Sequence, residues 1–231
     1  MFAKETYIER RRVLKQSMGS GLLLFLGNTE TGMNYADNIY PFRQDSTFLY
    51  YFASDYAGLA AIIDVDEDKE IIFGDELTID DIVWTGVQPT IKEKCERVGI
   101  SETMPMAQLA SYLKKAQAKG QQIHFLPPYR GEHQVWLQEL LGIVPAEQKA
   151  TASMKFVRAV INQRNYKTAE EIEQIEEAVG VSVDMHCAAM RAVRPGVTEA
   201  QIAAIVRAEA AKHNFGLSFP IIATVNGQTL H

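Results

Sequence analysis

The sequence predicts an α/β fold in which helices cover a mixed β-sheet. Short apolar runs alternate with segments of helical periodicity, and two of these runs are separated by only a short polar turn. The chain has 231 residues, of which 47% are hydrophobic and 23% charged, a composition typical of a globular protein. This length is enough to bury a core without disulfides, and the alternation predicts an α/β domain that ends near residue 150.

The first predicted elements are a helix and two strands. Thr6 and Glu9 have the spacing of a capping box, which predicts a helix that ends at Gly19. The continuous apolar run over residues 22–26 predicts a buried strand. Residues 48–52 are rich in aromatic side chains, which favours another strand.

A hairpin follows, and after it helices and strands alternate. The apolar residues 59–65 and 70–73 flank a polar turn, so this part of the sheet is predicted to be antiparallel. Periodicity predicts three further helices and one further strand, with helices over residues 90–97, 106–118 and 132–141 and the strand over residues 121–126.

The last third of the chain has a different pattern. Thr168 begins a second capping-box spacing and a long amphipathic helix, and Thr198 begins another helix. Residues 217–225 are predicted to form a strand. We therefore divide the chain into a first domain, a linker and the start of a second domain, with boundaries at 1–150, 151–167 and 168–231.

Charge and apolar patterning exclude several classes of protein. Lys and Arg number 23 and Asp and Glu 29, and the resulting net charge of −6 argues against a nucleic-acid partner. The longest apolar run is far shorter than a membrane-spanning helix, and the N-terminus has no apolar signal segment. The two cysteines have no disulfide or metal-site spacing. We expect a cytoplasmic protein without membrane or nucleic-acid partners.

The chain contains none of the common cofactor or nucleophile motifs. No histidine is paired with Asp, Glu or Cys at metal-ligand spacing, so no metal site is predicted within the chain. His124 lies in an apolar run and is predicted to be a core residue, whereas His133 and His213 lie on helices and are predicted to face solvent or to cap a helix. His231 follows the last predicted strand, where catalytic groups often lie.

Several motifs in order along the chain resemble one family. Residues 42–51 are similar to an Arg-Gln-x-Ser-x-Phe-x-Tyr pattern, and residues 84–86 to a Trp-x-Gly pattern. Residues 167–172 and 194–199 are similar to Lys-Ser-x-x-Glu-Ile and Arg-Pro-Gly-x-Thr-Glu patterns, and the chain ends in a Leu-His pair. Together these motifs resemble the aminopeptidase P, prolidase and creatinase family of pita-bread proteins.

The resemblance implies a fold and an activity. It implies a ribonuclease H-like N-terminal domain followed by the first helices and strand of a pita-bread α+β domain. It also implies an Xaa-Pro aminopeptidase that removes the residue preceding proline from peptides with two divalent ions, usually manganese. The family's Asp, Asp, His, Glu and Glu ligands follow the Leu-His pair, so we expect this chain alone to bind no metal and to be inactive.

The resemblance also assigns roles to three residues. It implies that His231 is a catalytic hydrogen-bond donor to the substrate or intermediate rather than a metal ligand. In a homo-oligomer, Asp37 and Trp84 would border the substrate site of a neighbouring subunit.

Two alternatives remain open at this point. A creatinase-type hydrolase uses the same scaffold without a metal, although the Trp-x-Gly pattern at Trp84 favours a peptidase. A non-catalytic binding or oligomerisation module is the other alternative. The residues downstream in the gene would distinguish them.

Overall fold

The computed structural model describes residues 1–228, which form two compact units divided between Tyr166 and Lys167. The predicted His231 therefore lies outside the described residues. The first unit contains five strands, β1–β5, at Leu22–Leu26, Ala60–Asp64, Lys69–Phe73, Glu102–Met104 and Ile123–His124. It contains eight α-helices, α1–α8, at Lys4–Met18, Ser46–Phe52, Ile79–Thr85, Ile91–Glu96, Leu109–Ala118, Gly131–Leu141, Pro145–Thr151 and Met154–Asn165.

The strands form one mixed sheet in the order β4-β3-β2-β1-β5. Strand β2 runs antiparallel to β1 and β3, while β5 is parallel to β1 and β4 is parallel to β3. The predicted hairpin is therefore confirmed as β2 and β3. Strand β5 is shorter than predicted, and Pro127 and Pro128, which cannot donate to a ladder, follow shortly after it.

Helices cover both faces of the sheet. Alternate side chains of β1 point to opposite faces, so Leu23 and Phe25 belong to one core cluster and Leu22 and Leu24 to the other. The first cluster is completed by α1, α2, α4 and α8, and the second by α5 and α6. This α/β/α layering confirms the predicted fold class.

The aromatic run over residues 48–52 is a helix, so its prediction as a strand is wrong. The Asp45 carboxylate caps α2 by accepting hydrogen bonds from the backbone N–H groups of Thr47 and Phe48, each at 2.8 Å. Phe48, Tyr51 and Phe52 have the three- and four-residue spacing of one helix face, and all three are buried. Capping and core packing therefore override the strand preference of aromatic residues.

Residues 151–167, predicted to form a linker, instead contain helix α8. The Ser153 hydroxyl caps this helix by accepting a hydrogen bond from the Phe156 backbone N–H, and Phe156, Ala159 and Val160 pack into the core shared with α1. The first unit therefore extends past the predicted boundary near residue 150 to Tyr166. A helix with a buried face of this size belongs to the fold rather than to a linker.

The second unit contains the two predicted helices, α9 at Ala169–Ala192 and α10 at Glu199–Lys212. Complete capping boxes at Thr168 and Thr198 confirm both predicted starts. Residues 217–225 form no strand, because none of the described chain pairs with them and a strand needs a partner for its backbone groups. Across residues 1–228, no helix combines the length and the apolar character needed to cross a bilayer.

Arg11 joins four parts of the first unit. Its side chain is 0% exposed, and its Nε donates to Glu70 Oε2 at 2.7 Å. Nη1 donates to the Tyr51 carbonyl at 2.9 Å, and Nη2 to the Val98 carbonyl at 2.7 Å. Burial lowers the pKa of Arg11, but a guanidinium remains charged in proteins. The charge is thus held by acceptors from α2, β3 and the turn after α4.

We predict that Arg11→Met lowers the free energy of unfolding by about 3–5 kcal/mol, because Glu70 and two carbonyls would lose a buried charged donor. Chemical denaturation monitored by circular dichroism measures this loss. Arg12→Met is the matched control, since Arg12 lies on the exposed face of α1 and pairs only with Glu9, and it should cost less than about 1 kcal/mol. Equal losses for the two variants would contradict the assigned role of Arg11.

Candidate functional site

The sheet topology gathers several loops at one edge of the first unit. Strands β1, β3, β4 and β5 all run in the same direction, so their carboxyl ends lie at the same edge. The loop that carries Asp37 follows β1, the segment that carries Trp84 follows β3, and Tyr129 and Arg130 follow β5. This edge is therefore the candidate functional site, because loops at strand ends commonly carry binding residues.

Asp37 lies near the tip of a small hairpin formed by residues 31–40, which we call the Asp37 hairpin. Its two sides are joined by a bridge between Gly32 and Ile39 and by hydrogen bonds from Met33 N–H to the Asn38 carbonyl and from Tyr40 N–H to the Thr31 carbonyl. The Asp37 side chain is exposed. The hairpin therefore presents a carboxylate to solvent at its tip.

Gln44 fixes the root of this hairpin. Its buried side chain accepts hydrogen bonds from the backbone N–H groups of Asn28 at 2.6 Å and Asp45 at 2.9 Å. Its amide group donates to the Tyr56 carbonyl at 2.6 Å. Gln44 thus clamps both ends of the loop, which gives a structural role to the Arg-Gln pair of the motif at residues 42–51.

His133 also supports the loop, and its prediction as a solvent-facing or helix-capping residue is wrong. It is buried, its Nε2 donates to the Gly27 carbonyl at 2.9 Å, and its ring stacks on Trp136. A carbonyl oxygen only accepts, so Nε2 carries the proton. The signal in the sequence was the four-residue spacing between His133 and the buried Leu137, which places both on the inner face of α6.

Two polar contacts connect the segment after β5 to the same loop. The Arg130 Nη2 donates to Thr31 Oγ1 at 2.9 Å, and the Tyr129 hydroxyl donates to Asp45 Oδ2 at 3.1 Å. The Arg130 Nε pairs with Glu132. The Asp37 hairpin is therefore held on one side by Gln44 and on the other by the start of α6.

Trp84 lies on an exposed apolar surface. Helix α3 is capped by reciprocal hydrogen bonds between Thr78 and Asp81, yet none of its residues is buried. Four apolar side chains of this segment are 75–89% exposed, three on the helix and one just after it. We call these residues, Ile79, Val83, Trp84 and Val87, the Trp84 surface. Several exposed apolar side chains on one short segment are typical of an interaction site.

Asp37 and Trp84 share the sheet edge but lie on separate segments. They follow β1 and β3, which are separated by β2 and therefore stand about 10 Å apart. Over residues 1–228, no hydrogen bond joins the two side chains. They therefore lie on different segments of the same edge.

The described residues offer no metal centre, and their buried cysteine is not an activated thiol. No three His, Cys, Asp or Glu side chains among residues 1–228 are grouped so that they could hold a metal ion. Burial raises the pKa of the Cys95 thiol to about 12, which keeps it protonated at neutral pH. These residues do not fit a dinuclear metal site, so we derive no step of a reaction through one.

We predict that His133→Ala lowers the free energy of unfolding by about 1–3 kcal/mol, because the Gly27 carbonyl would lose its buried donor. Amide hydrogen exchange should also become faster across residues 28–45. His186→Ala is the control, since His186 is an exposed histidine on α9, and it should change stability by less than about 0.5 kcal/mol. If amide exchange over residues 28–45 is unchanged in the His133 variant, His133 does not support this loop.

Two family models match the chain in order. The model of the aminopeptidase P N-terminal domain matches residues 7–126, and that of metallopeptidase family M24 matches residues 173–231. A probable Xaa-Pro aminopeptidase from Uncinocarpus reesii is 25% identical over 92% of this chain and 44% of its own length. The Xaa-Pro aminopeptidase of Escherichia coli is 24% identical over 99% of this chain and 54% of its own length. The chain thus spans about half the length of these relatives.

Solved structures show the same fold. Zinc-substituted E. coli aminopeptidase P in complex with product matches 92% of this chain and 50% of its own, with a TM-score of 0.75 and 19% identity. The same enzyme with the inhibitor Pro-Leu matches with a TM-score of 0.74 and 20% identity. Because the first family model covers more than half of the 231 residues, the chain belongs to the aminopeptidase P family, whose N-terminal domain it contains.

Proposed function

We propose that the protein containing this chain is an Xaa-Pro aminopeptidase, which removes the residue preceding proline from peptides. The observation that carries this proposal is the order of the two family models, an aminopeptidase P N-terminal domain followed by a metallopeptidase segment. The relatives from U. reesii and E. coli match 92% and 99% of the chain, so the likeness extends across both units.

The proposed activity includes a pair of divalent metal ions, with manganese as the proposed metal. Bound metal would supply an activated water for amide hydrolysis. Its ligands would come from outside residues 1–228, since the side chains described there do not form a metal-binding group. We further propose that the protein acts in the cytoplasm, without membrane or nucleic-acid partners.

His231 is proposed to act as a hydrogen-bond donor to the substrate carbonyl oxygen. Negative charge grows on that oxygen during attack, so a positioned imidazole stabilises the transition state more than the bound substrate. The Leu-His pair at residues 230–231 supports this role, in which His231 would not be a metal ligand.

We expect the complete protein, loaded with Mn²⁺, to release the first residue of an Xaa-Pro peptide and to leave the matching Xaa-Ala peptide intact. His231→Ala should lower kcat by about 10²–10³ while leaving the metal content unchanged, because one donor to the developing oxyanion is lost. Steady-state kinetics and metal analysis of the purified variant measure both effects, with His213→Ala as the control.

Three results would contradict this proposal. Hydrolysis of creatine instead of the peptide would identify a creatinase-type enzyme. Loss of metal from the His231 variant would make this residue a ligand, and an unchanged kcat would make it structural.

We also propose that the protein is a homo-oligomer in which the Trp84 surface packs against a second copy. Asp37 and Trp84 would then border the substrate site of the neighbouring subunit. The support is the exposure of four apolar side chains on one short segment, which a monomer would leave in water. Both residues also extend from the same edge of the sheet.

We predict that Val83→Glu shifts the complete protein from oligomer to monomer, because a charge would be buried in the interface without a partner. Analytical ultracentrifugation measures the mass of each species. Val135→Glu is the matched control, since Val135 is an exposed valine on α6 outside the Trp84 surface. An unchanged mass for the Val83 variant, or an equal shift for the Val135 variant, would contradict the proposed interface.

A further inference from the structure

A pocket of about 210 Å³ opens at the root of the Asp37 hairpin, within the first unit. Its lining includes the two arginines Arg43 and Arg130, the polar side chains of Thr31 and Tyr40, and the carboxylate of Glu30. Neither the metal chemistry of the proposed function nor the Trp84 surface uses this pocket. The pocket therefore needs an explanation of its own.

Both arginines have donor groups available in the pocket. Arg130 is oriented through Nε by Glu132 and through Nη2 by Thr31 Oγ1, and no residue of the described chain accepts a hydrogen bond from its Nη1. The Arg43 guanidinium likewise has no hydrogen-bond or ion-pair partner among residues 1–228, although its carbonyl is fixed by Asn28 Nδ2 at 2.7 Å. The backbone that presents Arg43 is rigid, while its charged group is free to bind.

The distribution of charge around the pocket favours one class of ligand. Glu132 already pairs with Arg130, so the Arg43 guanidinium and the Nη1 group of Arg130 are the donors left for a ligand. A singly charged carboxylate can accept from these donors, whereas a phosphate dianion would be repelled more strongly by Glu30 and Glu132. Planar guanidinium groups also match the geometry of a carboxylate. We propose that this pocket binds the carboxylate group of a monocarboxylic ligand.

Binding would have a mechanical consequence. Thr31 and Tyr40 stand on the two sides of the Asp37 hairpin and are joined by a backbone hydrogen bond of 2.9 Å. A carboxylate that contacts both Arg43 and Arg130 would connect the end of this loop to the segment before α6. Occupancy should therefore slow amide exchange across residues 31–40, which links the pocket to the exposed Asp37.

The test is a titration of the full chain with sodium acetate, followed by amide chemical shifts in NMR spectra. We expect saturable shifts that include Thr31 and Tyr40. Arg43→Gln and Arg130→Gln should each weaken acetate binding by about tenfold, because each removes a charged hydrogen-bond donor. Arg158→Gln is the matched control, since Arg158 is an exposed arginine on α8. The acetate affinity of this variant should change by less than about twofold.

Further probes distinguish the ligand source and the competing explanations. N-acetyl-glycylglycine is a small peptide with a free carboxylate. If it binds more tightly than acetate, the ligand is a peptide; if the two bind with equal affinity, the ligand is a small acid. Equal weakening by Arg158→Gln, or equal binding of the neutral isostere acetamide, would overturn the proposal. Tighter binding of inorganic phosphate would also overturn it. Thermal unfolding of each variant confirms that the fold is intact.

Discussion

The buried charge of Arg11 is the constraint on which the packing of the first unit depends. A guanidinium loses its hydration when it is 0% exposed, and only several well-placed acceptors offset that loss. Tyr51, Glu70 and Val98 supply these acceptors from three different parts of the chain. The docking of α1 therefore depends on the positions of α2, β3 and the turn after α4.

The sheet brings several loops together at one of its edges. Strand β2 reverses the chain between β1 and β3, so that the loops after β1, β3 and β5 leave the sheet at one edge. Gln44 and His133 then satisfy the backbone groups at the root of the Asp37 hairpin. Binding groups on fixed loops lose little conformational freedom when a ligand arrives. The fold thus presents Asp37 on a supported hairpin and Trp84 on a separate, exposed helix.

Sequence motifs located the candidate site better than hydrophobic periodicity did. The pattern at residues 42–51 singled out a segment in which three consecutive polar residues have three different roles. Gln44 clamps the loop, Asp45 caps α2 and Arg43 lines the pocket at the root of the hairpin. Periodicity missed His133, because a histidine on a helix is equally compatible with solvent and with a buried hydrogen bond. Its partner, the Gly27 carbonyl, is 106 residues away along the chain.

The sequence by itself determined the fold class, the hairpin, the start of both C-terminal helices and the family resemblance, because these depend on local spacing and capping. The structure shows that Arg11 is buried on the same helix, α1, as Tyr7, Leu14 and Met18. Only the tertiary structure decided that residues 48–52 and 154–165 are helices of the core. Only the tertiary structure identified the acceptors that hydrogen-bond to the Arg11 guanidinium, because partners that are distant in the sequence leave no local pattern.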